Sequence, residues 1–382
     1  EARVGELEAT QFSTTTKLQG QADFITGAVA YDDRDDCNKK GGSCQDDAFN
    51  MAYRLTLNLN TSFTGKDRLY TRLRAGNSAP GSIWVQSDST LNDAKKGDST
   101  LKVDKLWYSF PVGDEFKVTV GALVENYYMI ETPTRYRPIL KSLKLGGYGA
   151  VLGASTGQGF GVQWRQDVDP GEAAWNIAAN YVADGGEGAK SGQGLGMFGD
   201  DTDGYFLSQV GVGNRKWYVS ALYAYKHGED GSNPAMGFST PAAKAYDQGL
   251  HAMGLRGYWQ PEESGIIPTI SAGFDYGWSD ADLTGSAEEV LGWMVGLNWN
   301  DAFMEGNKLG IGLGTYSSYA TEIKGQGTDD ESNFTIEGYY DFQVSDNIRV
   351  TPAIFWVDNG SGKSSIDGAN KLGGLVKTTF KF

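Results

Sequence analysis

The stretch Lys371-Leu-Gly-Gly-Leu-Val-Lys-Thr-Thr-Phe-Lys-Phe382 decides the fold. In an extended chain, successive side chains point to opposite faces. Leu372, Val376, Thr378, Phe380 and Phe382 therefore share one face, and Lys377, Thr379 and Lys381 share the other. The first face suits hydrocarbon and the second suits water. Such a strand crosses a membrane only as part of a closed barrel, where neighbouring strands pair every backbone amide and the lumen stays polar.

Composition agrees. No apolar run approaches the roughly 18–20 residues that a membrane helix requires, and the mean hydropathy is -0.41. Gly makes up 53 of 382 residues and aromatics 12%, a pairing that fits many tightly paired strands flanked by aromatic belts. The net charge of -15 excludes a nucleic-acid partner, because phosphate binding needs cations that displace counterions. Any basic site has to be local. The opening residues carry no signal-peptide pattern, so a mature or trimmed chain is expected.

Working outward from the last strand, period-two segments fall at residues 17–31, 49–63, 68–76, 101–112, 115–124, 148–166, 174–184, 204–212, 216–227, 250–260, 265–279, 290–300, 307–319, 333–344, 347–358 and 371–382. The expected fold is all-β, a transmembrane antiparallel β-barrel of about 16 strands, the even number such barrels favour. Its joins alternate between short and long. Thr-Gly-Lys-Asp, Gly-Asp, Asp-Pro-Gly-Glu, Gly-Asn-Arg, Glu-Glu-Ser-Gly, Glu-Gly-Asn and Ser-Asp-Asn are tight turns, expected on the periplasmic side, whereas 32–47 and 185–203 are long polar loops expected outside. Residues 1–16 read as the end of a coiled coil or a linker, and 17–382 as the barrel.

Aromatic residues mark both ends of that barrel. Phe63, Phe110, Phe116, Trp164, Trp175, Trp217, Trp259, Trp299, Phe303, Phe342 and Phe380 cluster by the short turns and the C-terminus. Tyr53, Tyr225, Tyr276, Trp278, Tyr319, Phe334 and Trp356 lie near the long loops. These are the two girdles that amphipathic rings form at headgroup depth.

Parity also identifies the lumen. In the second strand Met51, Tyr53, Leu55, Leu57 and Leu59 face out while Arg54, Thr56, Asn58 and Asn60 face in; in the third, Tyr70, Arg72 and Arg74 face in. Lys105 and Lys117 on the next two strands also point inward, so five cations are expected on one inner wall. After strand 5, residues 126–147 are long for a join yet rich in apolar residues: Met129, Ile130, Ile139, Leu140 and Leu143, stiffened by Pro133 and Pro138. Bulk water would not favour these side chains, so the segment reads as a constriction loop folded into the channel. It carries Arg135, Arg137, Lys141 and Lys144 against Glu131 alone, which predicts a positive narrowing that favours anions. Asp23, Glu337 and Asp341 also point inward and could balance that field.

Cys37 and Cys44 sit in a polar, Gly-containing hairpin tip, which favours a loop-closing disulfide over two reduced thiols. No cofactor or metal site is expected: His is nearly absent, and Asp200-Asp201-Thr-Asp203 and Asp329-Asp330-Glu331 lack the spacing of a calcium loop and read as solvated. A surface hydrolase is the rival from another class. His227 and His251 are the imidazoles available to it, and no nucleophile-elbow or zinc-helix pattern accompanies them.

Gln11-Phe-Ser-Thr-Thr-Thr-Lys-Leu-Gln-Gly20 resembles the entry into the barrel of cyanobacterial outer-membrane porins of the OprB-like type, and Gly146-Gly-Tyr-Gly-Ala150 and Phe382 fit the same family. The resemblance covers the chain from about residue 11 onward. It implies a passive outer-membrane pore for small hydrophilic solutes and ions, a homotrimer with three separate pores among outer-membrane lipids, and an S-layer-homology domain that grips cell-wall polymer through a coiled coil. Residues 1–12 match only the last turns of that coiled coil, so the wall-binding domain is expected to be missing from this chain. Relatives carry sugar-porin or iron-uptake labels, and either would mean a substrate-specific channel. A wall-tethered barrel would also pin membrane to wall, whatever passes through it.

Overall fold

The computed structural model describes residues 16–32, 49–78, 82–85, 90–153, 156–192, 194–227, 249–263, 265–280, 282–315, 318–328, 334–358 and 370–382. The segments at 1–15, where the coiled-coil end was expected, and at 33–48, where Cys37 and Cys44 lie, fall outside them, as do Asp329, Asp330 and Glu331.

Among the described residues one antiparallel sheet closes on itself. The chain runs through β1 (Thr16–Tyr31), β2 (Asn50–Thr61), β3 (Arg68–Gly76), β4 (Lys102–Val112), β5 (Phe116–Val124) and β6 (Gly157–Arg165). It continues through β7 (Ala174–Asp184), β8 (Gly204–Gly213), β9 (Trp217–His227), β10 (Leu250–Trp259), β11 (Thr269–Ser279) and β12 (Ala287–Asn300). It ends with β13 (Lys308–Gly314), β14 (Tyr319–Ile323), β15 (Gly327–Thr328), β16 (Phe334–Gln343), β17 (Ile348–Asp358) and β18 (Lys371–Lys381). Both β13 and β14 pair with β12, so they are two pieces of one spanning strand, and β15 is a short return on β14. The eighteen segments thus make sixteen spanning strands.

The barrel closes where β1 pairs with β18 on one side and β2 on the other. Past the last ladder pair, the Gly20 amide donates to the Phe382 carbonyl at 2.7 Å and the Phe382 amide returns the bond at 3.0 Å. The Phe382 ring lies over Gly20, in space that a Cβ would occupy. Leu372, Val376 and Phe380 stand exposed on the outer face and Thr379 is buried inside, as the terminal alternation requires.

Two expected strands need correction. Among the described residues, 148–153 do not form the expected first half of β6. Their apolar run, Tyr148 with Ala150, Val151 and Leu152, is buried in the barrel interior, and turn bonds such as Gly153 N–H to the Gly149 carbonyl at 2.6 Å replace the ladder. A short apolar run has no period that distinguishes a strand from a packed loop. The segment expected at 307–319 is broken after Gly314, where Thr315 donates its amide to the Trp293 carbonyl at 3.0 Å.

Both girdles are visible. By the short turns Phe63, Phe116, Trp175, Trp217, Trp259, Phe303 and Phe342 are outward and exposed, and Trp217 sits directly opposite Trp259. At the other end Tyr276 and Trp278 stack at 5.9 Å, and Phe334 lies beside Trp356 at 6.1 Å. The turns themselves are built locally. In the join from β2 to β3, Asp67 accepts from the Phe63 and Thr64 amides at 2.9 and 2.8 Å and from the Tyr108 hydroxyl at 2.8 Å, which ties the turn to β4.

Candidate functional site

The lumen is divided by the segment between β5 and β6. It leaves the wall in a short 3-10 turn at Asn126–Met129, crosses the barrel, and makes a second at Lys141–Gly146. Met129, Leu140 and Leu143 are fully buried, and Ile130 and Ile139 nearly so. At about 1.5–3 kcal/mol for each large apolar side chain removed from water, these residues hold the loop in the barrel. On the wall beneath them, Ala178, Leu207, Leu222, Ala224, Leu250, Ala252, Val290 and Ala320 form one apolar cluster with Ile130 of the loop, among inward polar residues such as Asn180, Gln209 and Ser271.

Polar clasps fix the loop's path. Glu337 on β16 accepts from the Tyr136 hydroxyl at 2.7 Å and from the Ile139 and Leu140 amides at 2.9 and 2.6 Å. Ser271 Oγ accepts from the Arg135 and Tyr136 amides at 3.0 Å, and Gln209 exchanges bonds with the backbone of Glu131 at 2.8 and 3.1 Å. Arg256 on β10 donates to the Leu145 and Gly147 carbonyls at 2.8 and 3.1 Å while paired with Asp275 at 2.7 Å. Close approach is possible because Gly273 faces the Gly146 backbone and Gly296 faces the Tyr136 ring; a Cβ at either position would come within 2.2 Å of the loop. Glu337, expected to balance the pore field, is instead consumed by the loop.

A second segment, between β3 and β4, also folds inward. Trp84 and Leu91 are buried in it, and it pairs with the first loop through the Asn92 amide to the Ile139 carbonyl at 2.7 Å and the Lys141 amide to the Thr90 carbonyl at 2.8 Å. Nothing in the sequence pattern marks it. Its polar exterior reads as an outer loop, and only the contact with the first loop gives Trp84 a place to be buried.

The space beside the loop holds four of the nine predicted cations: Arg54, Arg135, Arg137 and Lys144. A cavity of about 530 Å³ is lined by Arg135, Arg137 and Lys144 from the loop and by Arg54, Lys308, Arg349, Lys377 and Lys381 from the wall, with Asp93 and Asp341 as the carboxylates. Asp93, from the second inward segment, pairs with Lys377 and with Arg54, the latter at 2.7 Å; Arg54 also bonds the buried Asp23 at 2.6 Å. These two cations hold the Asp93 carboxyl well below the usual range, although burial works against it. Asp341 takes Arg349 at 2.9 Å and the Thr351 hydroxyl at 3.0 Å. Arg135 lies over the Tyr258 ring at 4.6 Å, and Lys144 over Tyr127 at 4.2 Å.

The other predicted cations stand elsewhere. Lys117 lines a separate cavity of about 710 Å³ on the short-turn side. Arg74 and Lys105 border a smaller one of about 380 Å³ toward the long loops, joined by Lys95, Lys96 and Lys102. Arg72, Arg74, Lys95 and Lys105 all lie within ion-pair distance of Asp104, and Lys105 also meets Glu125 at 2.6 Å. Asp104 is the extra residue of a β-bulge: Arg72 pairs with Lys105 and Leu73 with Val103, so both Asp104 and Lys105 turn inward. Simple alternation cannot register that. Lys141 lies half-buried beside the Tyr148 ring at 5.2 Å.

Sequence reading missed an inward aromatic shelf. Tyr70 and Trp107 are ladder partners with their rings tilted at 35° and 5.0 Å apart, and Tyr128 continues the row at 6.2 Å from Trp107. They line the larger cavity with Arg68 over the first two rings. The signal was present, since Trp107 shares parity with Lys105. His227 and His251, the hydrolase candidates, face outward: His251 is packed between Tyr225 at 4.8 Å and Trp278 at 5.5 Å in the outer girdle.

Known proteins agree with this architecture. Two cyanobacterial proteins of uncharacterised role match the whole chain, one from Nostoc sp. at 28% identity over 68% of its own length and one from Synechocystis sp. at 26% over 72%. Among solved structures, Pseudomonas putida OprB superposes with a TM-score of 0.63 at 11% identity, covering 99% of this chain and 97% of that one. OmpT, an outer-membrane protein of Vibrio cholerae in trimer form, gives 0.56 at 12% over 96% and 100%, and the anion-selective porin of Comamonas acidovorans 0.54 at 13% over 96% and 99%. The family model described as carbohydrate-selective porin, OprB family, matches residues 1–382. With a closed sixteen-stranded wall and a lumen narrowed by its own loops, the chain belongs to the OprB family and is an outer-membrane porin for small solutes, not an enzyme.

Proposed function

We propose that this porin favours small anions. The observation that carries the reading is the cavity beside the loop, where eight cationic side chains face two carboxylates, both already ion-paired. Walls of low dielectric focus such a field along the path of a passing ion and raise the local concentration of anions. The acidic net charge does not oppose this, since selectivity is set where the path is narrow. On this reading the long loops face outside and the N-terminus faces the periplasm. The assembly is a homotrimer, supported by the trimeric form of a structural neighbour, and an N-terminal domain outside this chain tethers it to cell-wall polymer.

Single-channel recording across a KCl gradient tests the selectivity. A reversal potential on the anion side is expected, moving toward the cation side in Arg135→Glu/Arg137→Glu. Cation preference in the unaltered protein would overturn the reading.

A second reading is favoured by the shelf of Tyr70, Trp107 and Tyr128. Rings in a row beside Arg68 and Lys117 suit the apolar face and hydroxyl edge of a sugar, and the Trp107 indole N–H and the Gln163 side-chain oxygen beside them are buried without a partner. Saturable glucose uptake in liposomes, weakened by Trp107→Ala, would support a sugar channel. Uptake linear in glucose and unchanged by that substitution would leave the anion reading alone.

A further inference from the structure

Within the larger basic path, the charges are unevenly distributed. Lys308 stands in the field of Arg137, Arg349 and Lys381, with Asp341 as the counter-charge. Asp341 is itself held by Arg349 and Thr351. Arg137, Lys308 and Lys381 have no ion-pair partner within 4.0 Å among the described residues, and all three border the same cavity. They come from three separate elements: the inward loop, the first residue of β13 and the last residue of β18. Thr134, only 4% exposed, lines that cavity as well, and its hydroxyl has no hydrogen-bond partner.

Two costs therefore meet at one place. Like charges that share one carboxylate already paired with Arg349 repel, and a buried hydroxyl left unpaired loses the bonds it had in water. A single ligand relieves both if it carries more than one negative charge and offers acceptor oxygens in several directions. Chloride supplies one charge and no directed acceptor. A planar carboxylate presents its two oxygens on one side, whereas the donors bordering this cavity come from the loop and from two wall strands.

We infer that Arg137, Lys308 and Lys381, with Thr134, form a subsite for tetrahedral dianions such as inorganic phosphate, set between the loop and the short-turn ends of β13 and β18. The proposal rests on the anion reading and deepens it, adding saturable recognition to a passive path. The guanidinium of Arg137 supplies a two-pronged donor for two phosphate oxygens, and the lysines act as point charges. The cavity of about 530 Å³ leaves room for the ion with part of its water shell, so it binds and leaves, as conduction requires.

The test is chloride current through single channels of the full chain, with inorganic phosphate added in steps at constant chloride. The expected result is a saturating fall in chloride current, with the half-blocking concentration raised about tenfold in Arg137→Gln/Lys308→Gln, as expected for the loss of charge-assisted bonds. Lys381→Gln should shift it in the same direction by less, and it replaces the double variant if that variant does not assemble. Lys66→Gln, on the exposed turn between β2 and β3, should leave the block unchanged. Current that rises in proportion to added phosphate, or a block indifferent to all three cations, overturns the subsite while an anion-side reversal potential leaves the broader reading standing. A cation-side reversal potential removes both.

Discussion

Two stretches of the same inner wall meet different surroundings. From β7 to β14 the inward positions mix small apolar residues with buried polar ones such as Asn180, Gln209, Arg256, Ser271 and Asp275, several of them bonded to the loop. From β16 through β18 and β1 to β4 the inward positions include Lys308's neighbour Asp341, Arg349, Lys377, Arg54 and Arg74, gathered around open space. Both are lumen by strand parity. The difference is that the inward loop covers the first and leaves the second wet, so a polar group under the loop must be matched by a loop atom, while one on the open wall is matched by water or a passing ion. The covered wall should therefore govern stability and the open wall current.

Breaking the covered wall has the largest expected effect. Arg256→Met removes the direct ion-pair partner of the buried Asp275, leaving it only the wider field of Lys226, and frees the Leu145 and Gly147 carbonyls. A loss of about 3–5 kcal/mol is expected for removing one partner of such a pair, read as a lowered unfolding temperature of the folded barrel in detergent. Adding Asp275→Leu should restore part of it, because an apolar replacement of the whole pair is close to neutral. An unfolding temperature unchanged by Arg256→Met would show that the covered wall is not structural.

A smaller effect is expected at the boundary between the two walls. Glu337→Gln keeps the shape but weakens three bonds to the loop, at about 1–3 kcal/mol for a charge-assisted network left partly unsatisfied. The loop should loosen without the barrel unfolding, and single-channel traces should show larger or noisier current. A steady trace of unaltered conductance would mean that apolar packing alone seats the loop.

The smallest effect concerns the loop's open side. Burial pushes Lys144 down to about 8, with Glu125 opposing and Lys141, Arg72 and Arg74 adding to the shift; Lys141 is lowered to about 8 in the same way, with Glu125 opposing and Lys105, Arg74 and Lys95 adding. An amine lowered in this way is charged below about 8 and neutral above it. Anion preference should therefore decline modestly between pH 7 and pH 9, and less so in Lys144→Met, as read from the reversal potential. A preference that strengthens with rising pH would contradict the assignment of Lys144 to the path.

How much of this was legible beforehand depends on how local the signal was. The terminal strand, β2 and β3 alternate cleanly, because one side meets lipid and the other water, and their boundaries fall within two residues of the segments read from sequence. The loop was also legible, since Met129, Leu140 and Leu143 have no reason to be exposed. Residues 148–153 were not, because an apolar run packed inside the barrel looks like a strand in sequence. Asp104 was hidden by a bulge, which changes parity without changing composition. Trp84 was hidden by a partner, the loop segment around Leu140, that lies far along the chain.

The sequence by itself determined the barrel, its strand number, which end carries the short turns and, in strands without bulges such as β2 and β18, which residues face inward. These follow from a period-two pattern imposed by two solvents on either side of one strand. Only the tertiary structure decided which inward residues touch water. The inward loop passes from β5 across to Glu337 on β16, and its hydrogen bonds assign each wall position either to packing or to the pore. That assignment depends on contacts between residues two hundred apart in the chain, a distance over which no local pattern carries information.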